Sequence, residues 1–285
     1  MAVTCEVQVG QYTVRGISLG GVQTCFQIPQ FNLLFDIGHC PRSFAGTERL
    51  FITHGHADHA GGLISILSIR LLLGLKDPLK VFAPDYMVEG LKNAVKAYES
   101  FQSAPYLWDI QSMAPGMEIP INQRVFIRAF KSEHVIETLG YTAWERVSKL
   151  KSEFKDLPGP EIGIRKHRGD DLFDVIERPL LSFPGDTSIA TLEQNPHLFE
   201  SRVLLLESTY IDDRKSADMC TQHGHIHLDQ VLKLAKKFQN EHLVFTHFSQ
   251  SYRPAEVHAI IKERCADLFA PQIHPFAPKK GTWPG

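Results

Sequence analysis

Side chains that bind metals are concentrated in one short run, Thr53-His54-Gly55-His56-Ala57-Asp58-His59. Imidazole nitrogen and carboxylate oxygen suit zinc, and three or four such ligands complete a site. The run follows the apolar residues 50–52, which predicts a strand with the cluster on the loop at its end. A loop lets neighbouring side chains converge on one point, whereas a regular strand alternates them between faces. The alternative is a histidine-rich surface loop, which the H-x-H-x-D-H order disfavours.

Three further candidate ligands share one local context, because each follows a short apolar run that predicts a strand. They are His134, Asp186 in a Pro-Gly-Asp-Thr turn, and His247. A single histidine at a strand end is more often a surface or capping residue than a ligand. Three at equivalent places, in a chain that already has a ligand cluster, favour ligation of a second metal.

Length and composition fit a soluble globular protein. The chain has 285 residues, of which 43% are hydrophobic and 22% charged, and its formal net charge is −2. This balance does not require a nucleic-acid partner, so any such partner would bind a local basic patch. The five cysteines are scattered without a C-x-x-C motif, which predicts reduced thiols in a cytoplasmic protein.

No targeting or membrane segment is expected. Residues 1–6 lack the basic start and apolar core of a signal peptide. The longest apolar run, residues 64–75, is interrupted by serine, arginine and glycine, so it is too short and too polar to span a bilayer.

Strand-like runs occur in two batches, each followed by helices. The first batch has strands at 6–9, 12–17, 25–28, 32–37 and 80–83, with helices at 58–75 and 84–100. The second has strands at 124–130, 139–145, 180–183, 203–206 and 243–246, with helices at 226–238 and 254–264. Residues 148–171 resist assignment, and the proline-rich tail from 271 is predicted to be loop. The pattern predicts two packed sheets with helices outside and no internal sequence repeat.

One motif suggests a different chemistry. Gly16-Ile17-Ser18-Leu19-Gly20 matches the G-x-S-x-G pattern of serine hydrolases. A nucleophile elbow needs a helix directly after the serine, whereas a glycine-rich turn and a strand-like run follow here. We therefore reject serine-based catalysis.

The ligand cluster resembles the metallo-β-lactamase superfamily. Later motifs narrow the resemblance to the short form of the ribonuclease Z (tRNase Z) family, which trims the 3′ ends of tRNA precursors. These motifs are Phe35-Asp36-Ile37-Gly38, His134 with Gly140-Tyr141, Gly185-Asp186-Thr187, Leu206-Glu207-Ser208-Thr209, Gly224-His225 and His247-Phe248-Ser249. The resemblance covers nearly the whole chain. It implies an α/β fold of the αββα sandwich type, with two mixed sheets packed face to face and residues 1–285 in one domain.

The resemblance also implies two zinc ions, although iron or manganese fits similar ligands. The first ion would be held by His54, His56 and His134, the second by Asp58, His59 and His247, and Asp186 would bridge both. Asp36 would orient the histidine loop from behind.

The implied reaction is removal of 3′ trailers from precursor tRNA by attack of a metal-activated hydroxide on phosphorus. Asp58 is placed in both the catalytic and the ligand set. Glu207 and His225 resemble the family's pair that protonates the leaving 3′ oxygen, with Glu207 favouring the charged form of His225. Without the resemblance, a strand-end cap is the favoured interpretation of Glu207, and an N-terminal helix residue is the favoured interpretation of His225.

Two motifs depart from the family pattern. Gly-His-Ser-Thr is replaced by Gly-His-Ile-His at residues 224–227, so His223 or His227 could compete with His225. After His247, Ser-Ala-Arg-Tyr is replaced by Ser-Gln-Ser-Tyr-Arg, so a contact to substrate phosphate is either lost or rebuilt from Arg253.

The features that would bind RNA are reduced. Residues 19–24 leave no room for the loop with which longer forms check for a CCA end. Residues 146–178 are expected to hold a reduced substrate-binding arm, in which the basic residues 165–168 could contact phosphates. A solvated loop offset by Asp170 and Asp171 is an equal alternative. A homodimer is implied by the resemblance alone.

Two other functions stay open. One is a hydrolase with the same metal core that acts on a small phosphodiester, sulfate ester, thioester or lactone. The missing loop and short arm favour it, whereas the pair of Glu207 and His225 favours phosphodiester cleavage. The other is a non-catalytic binding protein on a degenerate scaffold, which the presence of all seven proposed ligands disfavours.

Overall fold

The computed structural model describes residues 4–283, in which the strands form two seven-stranded mixed sheets. The first sheet contains β1 (Cys5–Val9), β2 (Tyr12–Leu19), β3 (Gln23–Ile28), β4 (Leu33–Phe35), β5 (Arg49–Phe51), β6 (Leu79–Pro84) and β7 (Trp108–Met113). The second contains β8 (Glu118–Pro120), β9 (Val125–Ser132), β10 (Thr138–Leu150), β11 (Phe173–Phe183), β12 (Val203–Glu207), β13 (His242–Thr246) and β14 (Gln272–Pro275). Residues 1–3 of the N-terminal segment and both ends of the expected 1–285 domain lie outside the described residues.

Most of the helices connect strands that pair in parallel. They are α1 (Ala57–Ala60), α2 (Leu63–Leu72), α3 (Asp85–Glu99), α4 (Gly159–Arg168), α5 (Ala190–Gln194), α6 (His197–Glu200), α7 (Ala217–Gln222), α8 (Leu228–Lys233) and α9 (Pro254–Cys265). Within residues 4–283, no helix has the length and apolar character needed to cross a bilayer.

The two sheets repeat one pairing order, although the sequence shows no repeat. In each sheet the strands lie in chain order. The first three pairs are antiparallel. The next three are parallel. The carboxyl ends of parallel neighbours meet at one edge of a sheet, so each sheet presents a set of loops at such an edge.

An aromatic core joins the sheets face to face. Phe183 of the second sheet contacts Phe26 and Phe35 of the first, with ring centroids 5.3 and 5.5 Å apart. Two outer cores cover the opposite faces: α2 and α3 pack on the first sheet, and α5, α6, α8 and α9 on the second. The predicted αββα sandwich is confirmed.

The continuous helix predicted at 58–75 is wrong, because Gly61 and Gly62 separate α1 from α2. The Gly62 amide donates to the Ile37 carbonyl at 2.6 Å, and a Cβ atom on Gly62 would lie 2.5 Å from that oxygen. The break therefore lets the chain after the histidine cluster approach the loop that follows β4.

Several polar segments were misjudged. The tail is not all loop, since β14 pairs with β13, and the edge strands β7 and β8 were missed. Residues 148–171 contain the end of β10 and helix α4. The outer halves of β10 and β11 are largely exposed and therefore lack an apolar pattern. As the rejection of the serine motif requires, β2 runs through Ser18 with no helix before β3.

Candidate dinuclear metal centre

The strand-end loops bring all seven predicted ligands together between the two sheets. They form two groups that share Asp186: His54, His56 and His134 on one side, and Asp58, His59 and His247 on the other. Within each group, the candidate ligand atoms all lie within 4.8 Å of one another. Two such groups with one common carboxylate are the donor arrangement of a dinuclear site.

The Asp186 carboxylate lies between the groups and is 3% exposed. Its Oδ1 atom is 3.2 Å from Nε2 of His59 and 3.2 Å from Nε2 of His247. Its Oδ2 atom is 3.9 Å from Nε2 of His54. Each oxygen thus faces a different group, as a bridging ligand must.

The chemistry of these donors fits two cations. Burial lowers the pKa of His54 to about 2, so its ring is neutral and has a lone pair for a metal. Burial also opposes the charging of His59, yet the carboxylates of Asp186 and Asp36 raise its pKa well above the usual range. Nearby positive charge therefore stabilises the buried carboxylates, and metal ions would supply that charge. Three histidines with one carboxylate, and two histidines with two, match the N/O preference of zinc.

Asp36 holds ligands of both groups from behind, as the resemblance implies for it. The Nδ1 atom of His59 donates to Asp36 at 2.7 Å. The Thr53 hydroxyl donates to Asp36 at 2.9 Å and accepts from Nδ1 of His54 at 3.0 Å. These bonds fix the ring orientations and leave Nε2 of each histidine for the metal.

Glu207, at the end of β12 in the second sheet, orients histidine rings in the same way. Nδ1 of His225 donates to its Oε1 atom at 2.8 Å, and the Thr187 amide donates to the same oxygen at 3.1 Å. The Thr209 hydroxyl donates to Oε2 at 2.8 Å and lies 3.1 Å from Nδ1 of His247, from which it can accept. Glu207 thus orients His225 directly and orients the candidate ligand His247 through Thr209.

His225 lies beside ligands of both groups, with ring centroids 5.2 Å from His134 and 5.3 Å from His247. Burial disfavours the charge on its ring, but Glu207 more than compensates and raises the pKa of His225 to about 9. The ring therefore carries a proton near neutral pH. Because Nδ1 is bound to Glu207, Nε2 is the atom that can donate to a substrate.

The two neighbouring histidines have different positions. His227 is buried and N-caps α8, where Nδ1 accepts from the Asp229 amide at 3.1 Å and Nε2 donates to the Asp212 carbonyl at 3.0 Å. Both ring nitrogens are occupied, so His227 does not compete with His225. His223 lines an open pocket beside His225. Arg253, expected as an alternative phosphate contact, caps α9 and does not line that pocket.

The sequence interpretation missed the role of residues 18–21, which are the end of β2 and the start of the turn that follows it. The His247 amide donates to the Ser18 hydroxyl at 2.9 Å, and the Gly21 amide donates to Oδ2 of Asp58 at 3.1 Å. A Cβ atom on Gly20 would lie 3.0 Å from the His247 carbonyl oxygen. The rejected serine motif therefore contacts one candidate ligand of the second group, His247, and the glycine after the motif contacts another, Asp58. The adjacent glycines 20 and 21 were the available signal.

Known proteins resemble this chain over most of its length. Residues 34–248 match the family model described as "Beta-lactamase superfamily domain". tRNase Z TRZ1 of Arabidopsis thaliana is 33% identical over 253 residues, which cover 88% of this chain and 90% of the relative. A ribonuclease Z of Oceanobacillus iheyensis is 26% identical, with 75% of each chain covered.

Solved structures agree in fold. The short form of human tRNase Z superposes with a TM-score of 0.58 at 18% identity, covering 99% of this chain and 97% of that one. At that identity the likeness shows the fold alone. From the family model and the Arabidopsis relative, we conclude that the chain belongs to the metallo-β-lactamase superfamily and, within it, to the ribonuclease Z family of metal-dependent hydrolases.

Proposed function

We propose that the protein is a zinc-dependent endoribonuclease that removes 3′ trailers from precursor tRNA. The observation that carries this proposal is the hydrogen bond between His225 and Glu207 beside two metal-binding groups that share Asp186. Cleavage of an RNA phosphodiester expels an alkoxide, which is a poor leaving group and needs a proton donor. Relatives named tRNase Z and ribonuclease Z support tRNA as the substrate.

The chain's own residues would divide the reaction between them. When bound, two zinc ions supply a water of lowered pKa and neutralise charge at the phosphate. His225 donates the Nε2 proton to the leaving 3′ oxygen as its bond to phosphorus breaks. Glu207 stabilises the charged ring beforehand, and Asp58 orients the attacking water. The products are a 3′-hydroxyl on the tRNA and a 5′-phosphate on the trailer.

Residues 146–178 are proposed as a reduced substrate-binding arm on a single domain spanning residues 1–285. Arg165 pairs with Glu161 at 2.9 Å, so this arginine serves the arm itself. His167 and Arg168 are exposed at the end of α4 and suit phosphate contacts. We also propose a homodimer, in which the arm reaches the partner's cleft, and a cytoplasmic location, which the five buried free cysteines support.

A second candidate keeps the metal core but takes a small phosphodiester, sulfate ester, thioester or lactone. The short connection between Leu19 and Gln23 favours it, because no loop is available there to read a tRNA end. The proton donor pair argues against thioesters, whose thiolate leaving group needs less assistance than an alkoxide.

One experiment tests the proposal and separates the candidates. Metal content per chain is measured together with cleavage of a 3′-extended tRNA and of bis(p-nitrophenyl) phosphate. We expect His225→Ala to retain its metal and to lose about 10²–10⁴-fold in tRNA cleavage. His258→Ala, on α9, is the matched control and should behave as wild type. A metal-loaded wild type that hydrolyses the small ester but no tRNA would support the second candidate instead.

A further inference from the structure

An open pocket of about 280 Å³ lies beside the centre, and we call it the lateral pocket. Its lining includes His225 and His247 but none of the three histidines of the first metal group. Its other walls come from residues 20–21, from six residues of the segment 209–223 and from residues 249–250. The lateral pocket therefore lies on the proton donor's side of the centre.

Lys215 gives this pocket an uncompensated charge. The side chain is half-buried, and within residues 4–283 it has no carboxylate within ion-pairing distance. The adjacent Arg214 differs, since it binds Glu256 at 2.8 Å and stacks over Tyr252. Partial burial of an unpaired ammonium group is unfavourable, so a site that retains one is suited to an anion.

The rest of the lateral pocket offers apolar and aromatic surface. Tyr210 and Met219 line it, and the Met219 side chain is partly exposed. The segment directly after Tyr210 is held in place, since Asp212 accepts from the Tyr252 hydroxyl at 2.8 Å and Arg264 donates to the Ile211 carbonyl at 2.7 Å. An aromatic side chain near a cation suits a nucleotide, whose base stacks while its phosphate is bound.

We propose that the lateral pocket binds the nucleotide that carries the leaving 3′ oxygen, with Lys215 binding the phosphate on its 5′ side. This inference rests on the proposed function. His225 must reach the leaving oxygen, so the nucleotide attached to that oxygen lies on the side of His225. Tyr210 and Met219 then contact its base without reading its identity.

A double-mutant cycle between protein and substrate tests the contact. The substrate is a 3′-extended tRNA in which an uncharged methylphosphonate replaces the phosphate one nucleotide upstream of the scissile bond. We expect Lys215→Met, and separately the neutral linkage, to raise KM about tenfold, as for loss of one charge-assisted hydrogen bond. Combined, they should raise KM no further. Additive penalties would overturn the proposal.

Three controls separate binding from folding. Lys215→Arg should retain most of the affinity, and Lys236→Met, at an exposed lysine outside the pocket, should match wild type. Lys215→Met should keep the metal content per chain of wild type. Loss of metal would assign Lys215 a structural role and overturn the proposal. A wild type that cleaves bis(p-nitrophenyl) phosphate but no RNA would overturn the proposed function as well, which additive penalties alone would not.

Discussion

His225 donates a hydrogen bond from Nδ1 to Oε1 of Glu207 over 2.8 Å, while the other oxygen of Glu207 accepts from Thr209. Thr209 in turn lies 3.1 Å from Nδ1 of the ligand His247. One buried carboxylate therefore orients both His225, the proposed proton donor, and His247, a candidate metal ligand. Loss of the partner of one Glu207 oxygen should affect His225, and loss of the partner of the other oxygen should affect His247.

Replacing Glu207 with glutamine should weaken the proton donor. The charge of Glu207 raises the pKa of His225 to about 9, so the ring is protonated at lower pH and loses its proton as the pH rises through that value. Without the charge, this loss moves to lower pH. We expect kcat for 3′-extended tRNA, measured at saturating zinc, to fall about 10²-fold, with the alkaline decline beginning at lower pH. An unshifted profile would contradict the role of Glu207.

Removing the Thr209 hydroxyl should weaken the second metal site. Thr209→Val leaves Nδ1 of His247 without its partner, and we expect zinc affinity at one of two sites to fall roughly 10–100-fold. Competition with a chelator measures this. Thr246→Val is the matched control, because the buried Thr246 hydroxyl belongs to the residue next to His247 and has no hydrogen-bond partner among residues 4–283. Equal losses in both variants would exclude a specific role for Thr209.

The shared carboxylate predicts unequal metal losses. Asp186→Ala removes a donor from both groups, so we expect the variant to retain little metal after dialysis. His134→Ala removes a donor from the first group alone and should retain about one ion per chain, because the second group keeps its full donor set. Metal analysis per chain distinguishes the two. Retention of both ions by Asp186→Ala would show that this residue does not bridge.

Acid should destabilise the fold through His197, outside the metal centre. Its ring packs against Phe130 and Trp144, and burial lowers its pKa to about 4 from 6.5. As the pH falls, His197 is protonated in the unfolded chain before it is protonated in the folded protein. The free energy of unfolding is therefore unaffected by His197 above pH 6.5 and decreases as the pH falls toward 4. Between about pH 7 and pH 5 the loss should be about 1–2 kcal/mol.

His197→Gln removes this titration, so urea unfolding should show a shallower pH dependence than in wild type. Acid removes metal from both proteins to the same extent. The difference between their slopes of unfolding free energy against pH therefore reports the titration of His197 alone. His167→Gln, on the exposed end of α4, should leave the slope unchanged. Identical slopes for wild type and His197→Gln would rule out the half-buried ring as the cause.

Much of this protein could be predicted because its signals are local. The 54–59 cluster, the Gly185-Asp186-Thr187 turn and His247 each follow a short apolar run, and strand ends are where loops carry ligands. The two batches of strands likewise predicted the two-sheet fold. Such features depend on residues a few positions apart, whose side-chain alternation is set by backbone geometry.

Other features depend on contacts that no local pattern encodes. The His247 amide meets the Ser18 hydroxyl across 229 positions. Thr209 joins Glu207 to His247, and His227 caps α8. Lys215 lines a pocket in which no carboxylate of residues 4–283 lies within ion-pairing distance of it. The local sequence around a serine, threonine, histidine or lysine does not indicate which distant residue it will contact. Packing of the two sheets alone determines which polar groups meet, because it brings loops from both halves of the chain to one cleft.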